Sequence, residues 1–258
     1  MRDGVRRLLI MTKIDKLEKV NVLSVLFDNV TLIEMRNHIK QFFESETQNN
    51  LFIVTANPEI VDYTTNNEIY RNLINGANYV VPDGTGIVMA SKLLKTPLKE
   101  RVPGIEVMEE CLEIANANYQ NVFLLGAKDE IVTQAVQKLS EKYPNIYFGS
   151  HHGYFDIEDE MVLKQVTSFK PDYVFAGMGY PKQEQWIVRH ENQFNQTLLM
   201  GVGGSIEVFS GTKKRAPNVF QKLNIEWVYR FIIDWKRLGR MKAIPRFVFK
   251  VIKQKITK

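Results

Sequence analysis

The chain has 258 residues and a mass of 29.9 kDa, 45% of them hydrophobic, enough to bury one substantial core without a second large domain. A single cysteine, Cys111, excludes an internal disulfide, and no apolar run reaches the roughly 18 residues that a membrane-spanning helix needs. The net charge of +5 and the pI near 9.1 are modest, so where the charge sits matters more than its sum.

Residues 1–20 read as a flexible N-terminal extension. Basic residues precede Leu8-Leu9-Ile10-Met11, but that stretch is shorter than the roughly 7 to 15 apolar residues of a signal peptide's centre, so the expected location is cytoplasmic. Val20 to Asn29 reads as a strand pair or hairpin edge. A helix is expected from Thr31 to Glu44, because Thr31 followed three residues later by Glu34 fits a capping box. After a polar loop comes a buried strand, Leu51-Phe52-Ile53-Val54, which stops at Thr55-Ala56-Asn57-Pro58, where Pro58 can open a helix. The arrangement repeats: Tyr79-Val80-Val81, then Pro82-Asp83-Gly84-Thr85-Gly86, then a helix carrying Ile87, Val88 and Ala90 inward. In an open α/β sheet such turns line one edge, so Thr55 and Asn57 can face the Asp83 carboxylate across one crevice, the candidate active site. The blander reading of Asp83 is a helix-capping turn residue. Lys99 to Gly104 returns charge toward the same edge, and Arg101 within it is either a site cation or a plain surface charge.

A helix follows at Gly104 to Tyr119, in which Cys111 reads as a buried small hydrophobe. From Asn121 three more strand-turn units appear, Val122 to Ala127, Tyr173 to Gly179 and Leu198 to Gly204. Their continuous apolar runs are those of strands covered on both faces. The alternation argues an α/β fold with a Rossmann-like, mainly parallel sheet flanked by helices, placed at residues 21–211.

Glycines at the ends of such strands, here Gly126, Gly179, Gly203 and Gly204, let backbone amides approach a phosphate, although tight packing explains each equally well. The dinucleotide fingerprint is incomplete, because Lys182 stands where a third glycine would be. Gln183, in the first turn of the next helix, can contact a sugar or phosphate. Glu207 can accept from a ribose or uracil edge, or simply be an acidic residue at a helix start. His38, His151, His152 and His190 lack metal-ligand spacing, no Asp-x-Asp motif is present, and Asp156 to Glu160 reads as a solvated helix start, so no metal and no cofactor are indicated.

Composition changes near Gly211. Residues 212–258 read as a basic, amphipathic, helical C-terminal appendage. Between Arg230 and Lys258, basic residues that include Arg237 and Arg240 alternate with Phe231, Trp235, Phe247 and Phe249, with Trp227 just before them, and only Asp234 opposes them. Arg230, Arg237 and Arg240 fall on one side of an unbroken helix. Such a mixture suits an anionic membrane interface, with RNA phosphates as the competing partner. Pro245 is expected to break the segment, leaving a short terminal piece. The exposed apolar face would gain from a homo-oligomer that covers it away from the membrane.

TANPEI, PDGTGIV, ERVPG, VFLLGA, HHGYF, GMGYPKQE, GVGGSIEV and KKRAP, spread from about Val22 to Arg240, resemble the WecG/TagA/CpsF family of glycosyltransferases, and the chain looks closest to the branch that builds the linkage unit of wall teichoic acid. The resemblance implies inverting, metal-independent transfer of N-acetylmannosamine from UDP-N-acetylmannosamine to undecaprenyl-diphosphate-linked N-acetylglucosamine, at the inner face of the plasma membrane. Carried over, it makes Asp83 the general base, Thr55 and Asn57 positioning groups, and Arg101 with Arg230, Arg237 and Arg240 the stabilisers of the leaving UDP. It also adds Gly153 and Tyr154 of HHGYF to the binding residues. Several family members have Asp where this chain has Glu207. Two other classes stay open: a nucleotide-dependent oxidoreductase, and a non-enzymatic peripheral membrane or RNA-binding protein. UDP binding separates the first class from both.

Overall fold

The computed structural model describes residues 17–45, 48–214 and 243–257. The expected N-terminal extension up to residue 16, and Arg230, Arg237 and Arg240, lie outside these described residues.

The chain opens with an antiparallel hairpin, β1 (Lys19–Val22) and β2 (Val25–Asp28). Leu23 and Ser24 between them both have positive φ, 52° and 68°, the backbone twist that closes a two-residue hairpin. Helix α1 (Leu32–Glu44) then starts as the sequence suggests: the Thr31 hydroxyl accepts from the Glu34 amide, and the Glu34 carboxylate accepts from the Thr31 amide. Lys99 closes on the same carboxylate at 2.7 Å. That ion pair, with the cap, holds the Glu34 carboxyl down at about 2.

Next come β3 (Leu51–Ala56), α2 (Pro58–Thr64), α3 (Glu68–Asn75), β4 (Tyr79–Pro82), α4 (Thr85–Leu93) and α5 (Gly104–Ala117). The second half holds β5 (Asn121–Gly126), α6 (Asp129–Lys142), β6 (Tyr147–His151), α7 (Glu160–Ser168), β7 (Tyr173–Gly177), α8 (Lys182–His190), β8 (Leu198–Gly201) and α9 (Ser205–Phe209). Helix α10 (Ala243–Ile256) closes the described chain. The central sheet has six strands in the order β4-β3-β8-β7-β5-β6, and every pairing in it is parallel. Edge strand β6 has no counterpart in the sequence reading. It contains Gly149, and its side chains are half-exposed or exposed, so it lacks the apolar run that marks the inner strands.

Alternate residues of each strand feed two cores. Phe52, Val54, Leu125, Val174 and Leu199 face one side, where Trp186, Tyr70 and Ile60 cover them; Ile53, Leu124, Phe175 and Met200 face the other, under Met108, Cys111 and Leu139. Cys111 is fully buried, and burial pushes its thiol far up, which suits a packing role and not a nucleophile. Each large side chain removed from water in this way contributes roughly 1.5–3 kcal/mol.

Of the expected C-terminal appendage, residues 243–257 form a helix whose inner face belongs to the core. Ala243, Phe247 and Val251 of α10 are buried, the latter two in the same core as Ile60 and Ile87, so its inner face completes the fold against α2 and α4. Pro245 is the third residue of this helix, which forms the short terminal piece. Arg246 and Lys250, counted in the sequence as interfacial charges, both pair with the buried carboxylate of Asp62 on α2, at 2.8 Å and 2.6 Å. The outer face keeps the anticipated character: Val248, Phe249, Ile252 and Ile256 are exposed beside Lys253 and Lys255. No described helix is long and apolar enough to cross a membrane.

Candidate functional site

Parallel pairing of β3 with β4 aligns Thr55 with Val81 and Ala56 with Pro82, so the turns leaving both strands emerge side by side. The Asp83 amide donates to the Ala56 carbonyl at 3.0 Å, tying the Asp83 turn to the neighbouring strand end. Gly84, with φ 115°, reverses the chain after Asp83, and Gly86 lies so close to Pro58 that a Cβ there would stand 2.8 Å from the ring. The two turns are thus locked together, and Asp83 stands at the same strand edge as Thr55 and Asn57. Arg101 is brought to this edge as well, because the amide of the next residue, Val102, donates to the Pro82 carbonyl at 3.0 Å. The Arg101 side chain is largely buried, and its guanidinium lies 3.9 Å from the Glu106 carboxylate.

Asn57 and Thr55 also hold structure. The Asn57 side-chain oxygen caps α2, accepting from the Glu59 and Ile60 amides at 3.0 Å. The Thr55 hydroxyl donates to the Gly201 carbonyl at 3.3 Å, linking β3 to β8, and Gly104 leaves room for that hydroxyl at the start of α5.

The second half of the crevice lies where β5 and β7 part. The chain leaves β5 toward β6 and leaves β7 toward β8, and helices α6 and α8 cover opposite faces. In open α/β sheets such a divergence of strand exits is where ligands enter. Gly126 and Gly177 are register partners here, and a Cβ on Gly126 would lie 2.4 Å from the Gly177 carbonyl oxygen. Gly153 packs on the Gly126 turn and donates to the Ala127 carbonyl at 2.8 Å, while the Tyr154 ring is exposed at the rim. Gly179 and Gly203 have positive φ, 79° and 50°, and a Cβ on either would meet nothing within 4 Å among the described residues. Over Gly204 lie the Glu207 carboxylate and the Lys213 amine. Glu207 Oε2 is buried with no hydrogen-bond partner among the described residues.

The first turn of α8 carries what the sequence reading did not anticipate. Lys182 donates to the carbonyls of Gly153, at 3.0 Å, and of Phe155, and lies 4.7 Å from the Phe155 ring centroid, pinning the HHGYF loop. Gln183 is 4% exposed and sits beneath the glycine turns, not in the open space. Its side-chain oxygen accepts from the amides of Gly179 and Gly203, both at 3.1 Å. Those two amides, expected to meet phosphate, are therefore occupied. Glu184 is 1% exposed and bonded to Gln183 and to Tyr70 of α3. A signal was available: Gln183, Ile187 and His190 recur at helical spacing and are all buried, so Gln183 belongs to the inward face. Two of the histidines have local tasks, His190 bonding the Ile157 carbonyl and His151 the carbonyl of His152.

A cavity of about 510 Å³ opens between α2, the Tyr180-Pro181 turn and the start of α10, lined by Tyr63, Tyr180, Asn66, Asn67, Glu59 and Arg246.

Comparison with known proteins adds two findings. The description "Glycosyl transferase WecG/TagA/CpsF family" matches residues 20–258. Curated proteins of Staphylococcus aureus, among them those of strains NCTC 8325 / PS 47 and COL, are 60% identical over 237 residues, 92% of this chain and 93% of each relative, and both are named N-acetylglucosaminyldiphosphoundecaprenol N-acetyl-beta-D-mannosaminyltransferase.

Proposed function

The chain belongs to the glycosyl transferase WecG/TagA/CpsF family, and from that premise we propose that it transfers N-acetylmannosamine from UDP-N-acetylmannosamine to N-acetylglucosaminyl-diphospho-undecaprenol. The product is the β-linked disaccharide of the wall teichoic acid linkage unit. The observation that carries the reading is 60% identity across 92% of the chain.

In this reading Asp83 takes the proton from the 4-hydroxyl of the acceptor sugar. The freed oxygen attacks the anomeric carbon of N-acetylmannosamine on the face opposite the diphosphate, the bond from that carbon to the UDP oxygen breaks, and the configuration inverts. A positioned carboxylate contributes about 10²- to 10⁴-fold through such proton transfer. Thr55 and Asn57 orient the reacting sugars, each already fixed by a structural bond. Arg101 faces the charge that develops on the leaving diphosphate, where a guanidinium offers paired donors, and Arg230, Arg237 and Arg240 add to it. The uridine lies over Gly126, Gly153, Gly179, Gly203 and Gly204, with Tyr154 at the rim. Glu207 accepts from the base or ribose, consistent with its unpartnered oxygen among the described residues.

Because the acceptor carries a polyprenyl chain, the enzyme works at the cytoplasmic face of the membrane. The exposed Val248, Phe249, Ile252 and Ile256 face of α10, flanked by lysines, supports peripheral contact with anionic lipid. The test is transfer of labelled sugar from a panel of UDP-sugars to a short-chain lipid-linked N-acetylglucosamine diphosphate. Selective use of UDP-N-acetylmannosamine is expected; selective use of another donor, or hydride transfer from a nicotinamide cofactor, overturns the proposal.

A further inference from the structure

The nucleotide half of the crevice is held from below by a chain of three buried side chains. Tyr70 OH donates to Glu184 Oε2 at 2.9 Å, Gln183 Nε2 donates to Glu184 Oε1 at 2.6 Å, and Gln183 Oε1 accepts from the amides of Gly179 and Gly203 at 3.1 Å each. Donor and acceptor roles along this chain are forced. The two glycine amides can only donate, so they need an oxygen. A carboxylate oxygen facing Gln183 can only accept, so it needs the NH2 group. A carboxamide satisfies both neighbours in one orientation only. Turned by 180°, it would set NH2 against two N–H groups and oxygen against oxygen, stranding five polar groups away from water. Gly201 makes the arrangement possible: a Cβ there would lie 2.5 Å from Gln183 Nε2 and 2.9 Å from Glu184 Oε1.

We propose that Glu184, braced by Tyr70, is a positioning residue that fixes the amide orientation of Gln183 and thereby shapes the Gly179 and Gly203 turns on which the nucleotide rests. The turns are tied on their lower side, and among the described residues nothing stands within 4 Å of a Cβ on either, as a ligand platform requires. Tyr70 belongs to the β3–β4 half that carries Asp83, whereas the glycine turns belong to the β7–β8 half, so the chain also links the two sides of the crevice. Burial pushes the Glu184 carboxyl up to about 7. In its neutral form the proton can reside on Oε2 toward Tyr70, whose hydroxyl can accept as well as donate, so Oε1 remains an acceptor for Gln183 in both forms.

The inference rests on the transferase reading only for its activity readout; UDP affinity and amide exchange at Gly179 and Gly203 test it independently. The variants are Glu184→Gln, Gln183→Glu and the double exchange. Glu184→Gln can still present oxygen to Gln183 and NH2 to Tyr70, so UDP affinity falls only about 3-fold as a charge-assisted bond becomes neutral. Gln183→Glu sets two carboxylates face to face once both are ionised. UDP affinity at about pH 9 therefore falls about 30-fold or more, with faster exchange at both glycine amides, and recovers as pH falls below about 7 and the pair takes up a proton. In Gln183→Glu/Glu184→Gln, the carboxylate now at position 183 accepts from both glycines and from the NH2 group now at position 184, which restores each of those bonds. UDP affinity and glycine protection then return to within about 3-fold of wild type. A double variant no better than Gln183→Glu, or a Gln183→Glu protein with wild-type UDP affinity at about pH 9, overturns the proposal. If Gln183→Glu does not fold, Glu184→Gln/Tyr70→Phe replaces it. Without the Tyr70 hydroxyl the carboxamide introduced at position 184 is free to turn its NH2 toward Gln183, so UDP affinity must fall by more than the product of the two single effects, and simple multiplicativity overturns the proposal. Retained affinity with no mannosamine transfer by wild type would count against the transferase reading alone.

Discussion

Replacing Asp62 by Asn should loosen the C-terminal helix without unfolding the sheet. The Asp62 side chain is 3% exposed and faces two cations from α10, Arg246 through Nε at 3.0 Å and a terminal nitrogen at 2.8 Å, and Lys250 at 2.6 Å. The carboxylate is desolvated, but the Arg246 and Lys250 side chains are 60% and 27% exposed and keep part of their water. The contribution therefore falls between that of an exposed pair, about 0.2–1 kcal/mol, and that of a broken buried pair, about 3–5 kcal/mol; roughly 2 kcal/mol is expected. Phe247 and Val251 still anchor the helix, each contributing about 1.5–3 kcal/mol by burial. The variant should thus remain folded while α10 opens about 30-fold more often, since about 1.4 kcal/mol is tenfold. Hydrogen exchange over residues 243–257 reads this directly, with the strand amides as an internal control. Exchange raised less than about 3-fold would mean that the ion pairs behave as solvated surface contacts, and that apolar packing alone docks the helix.

Two further outcomes concern the fold. Glu34 titrates at about 2 in the folded protein against 4.5 as its ordinary value. Its depressed carboxyl therefore stabilises the fold above pH 4.5, and that contribution is lost as pH falls toward 2. Thr31→Ala removes the cap, and Glu34→Gln removes the charge from both cap and Lys99; urea unfolding at about pH 6 should find each less stable by about 1 kcal/mol, and the gap between Glu34→Gln and wild type should narrow at about pH 3. Gly126→Ala sets a Cβ 2.4 Å from the Gly177 carbonyl oxygen, a backbone atom that cannot swing away. The expected cost is about 2–3 kcal/mol, read as a lowered thermal midpoint together with weakened UDP binding; a wild-type midpoint would show that the β5 and β7 ends can part.

Legibility in the sequence followed the range of the interactions involved. The Thr31 to Glu34 box, the Asn57-Pro58 helix start and the apolar strands are local patterns, and the structure forms them at those residues. The meeting of the Asp83 turn with the Thr55 and Asn57 turn was also readable, because parallel strands followed by short turns leave few other arrangements. The fate of α10 was not. A helix with Phe247 and Val251 on one side and lysines on the other has the same pattern whether it faces lipid or a protein core, and its partner Asp62 lies 184 residues from Arg246. Gln183 reads alone as a polar group in a first helical turn. Its helical spacing with Ile187 and His190 puts it on the inward face, but its partners there, Gly179, Gly203 and a Glu184 tied to Tyr70 114 residues away, are set by the fold. The β1–β2 turn hid for a different reason: Leu23 and Ser24 adopt positive φ without glycine or asparagine to announce it.

The central claim is that Asp83 is the base of a mannosaminyl transfer, and its most direct measurement compares wild type with Asp83→Asn. The assay follows transfer from UDP-N-acetylmannosamine to lipid-linked N-acetylglucosamine diphosphate in the presence of a chelator, with UDP affinity measured alongside. Loss of turnover by about 10²- to 10⁴-fold with UDP affinity unchanged is the predicted result. Turnover within a few-fold of wild type would contradict the account and move the base to another residue of the crevice.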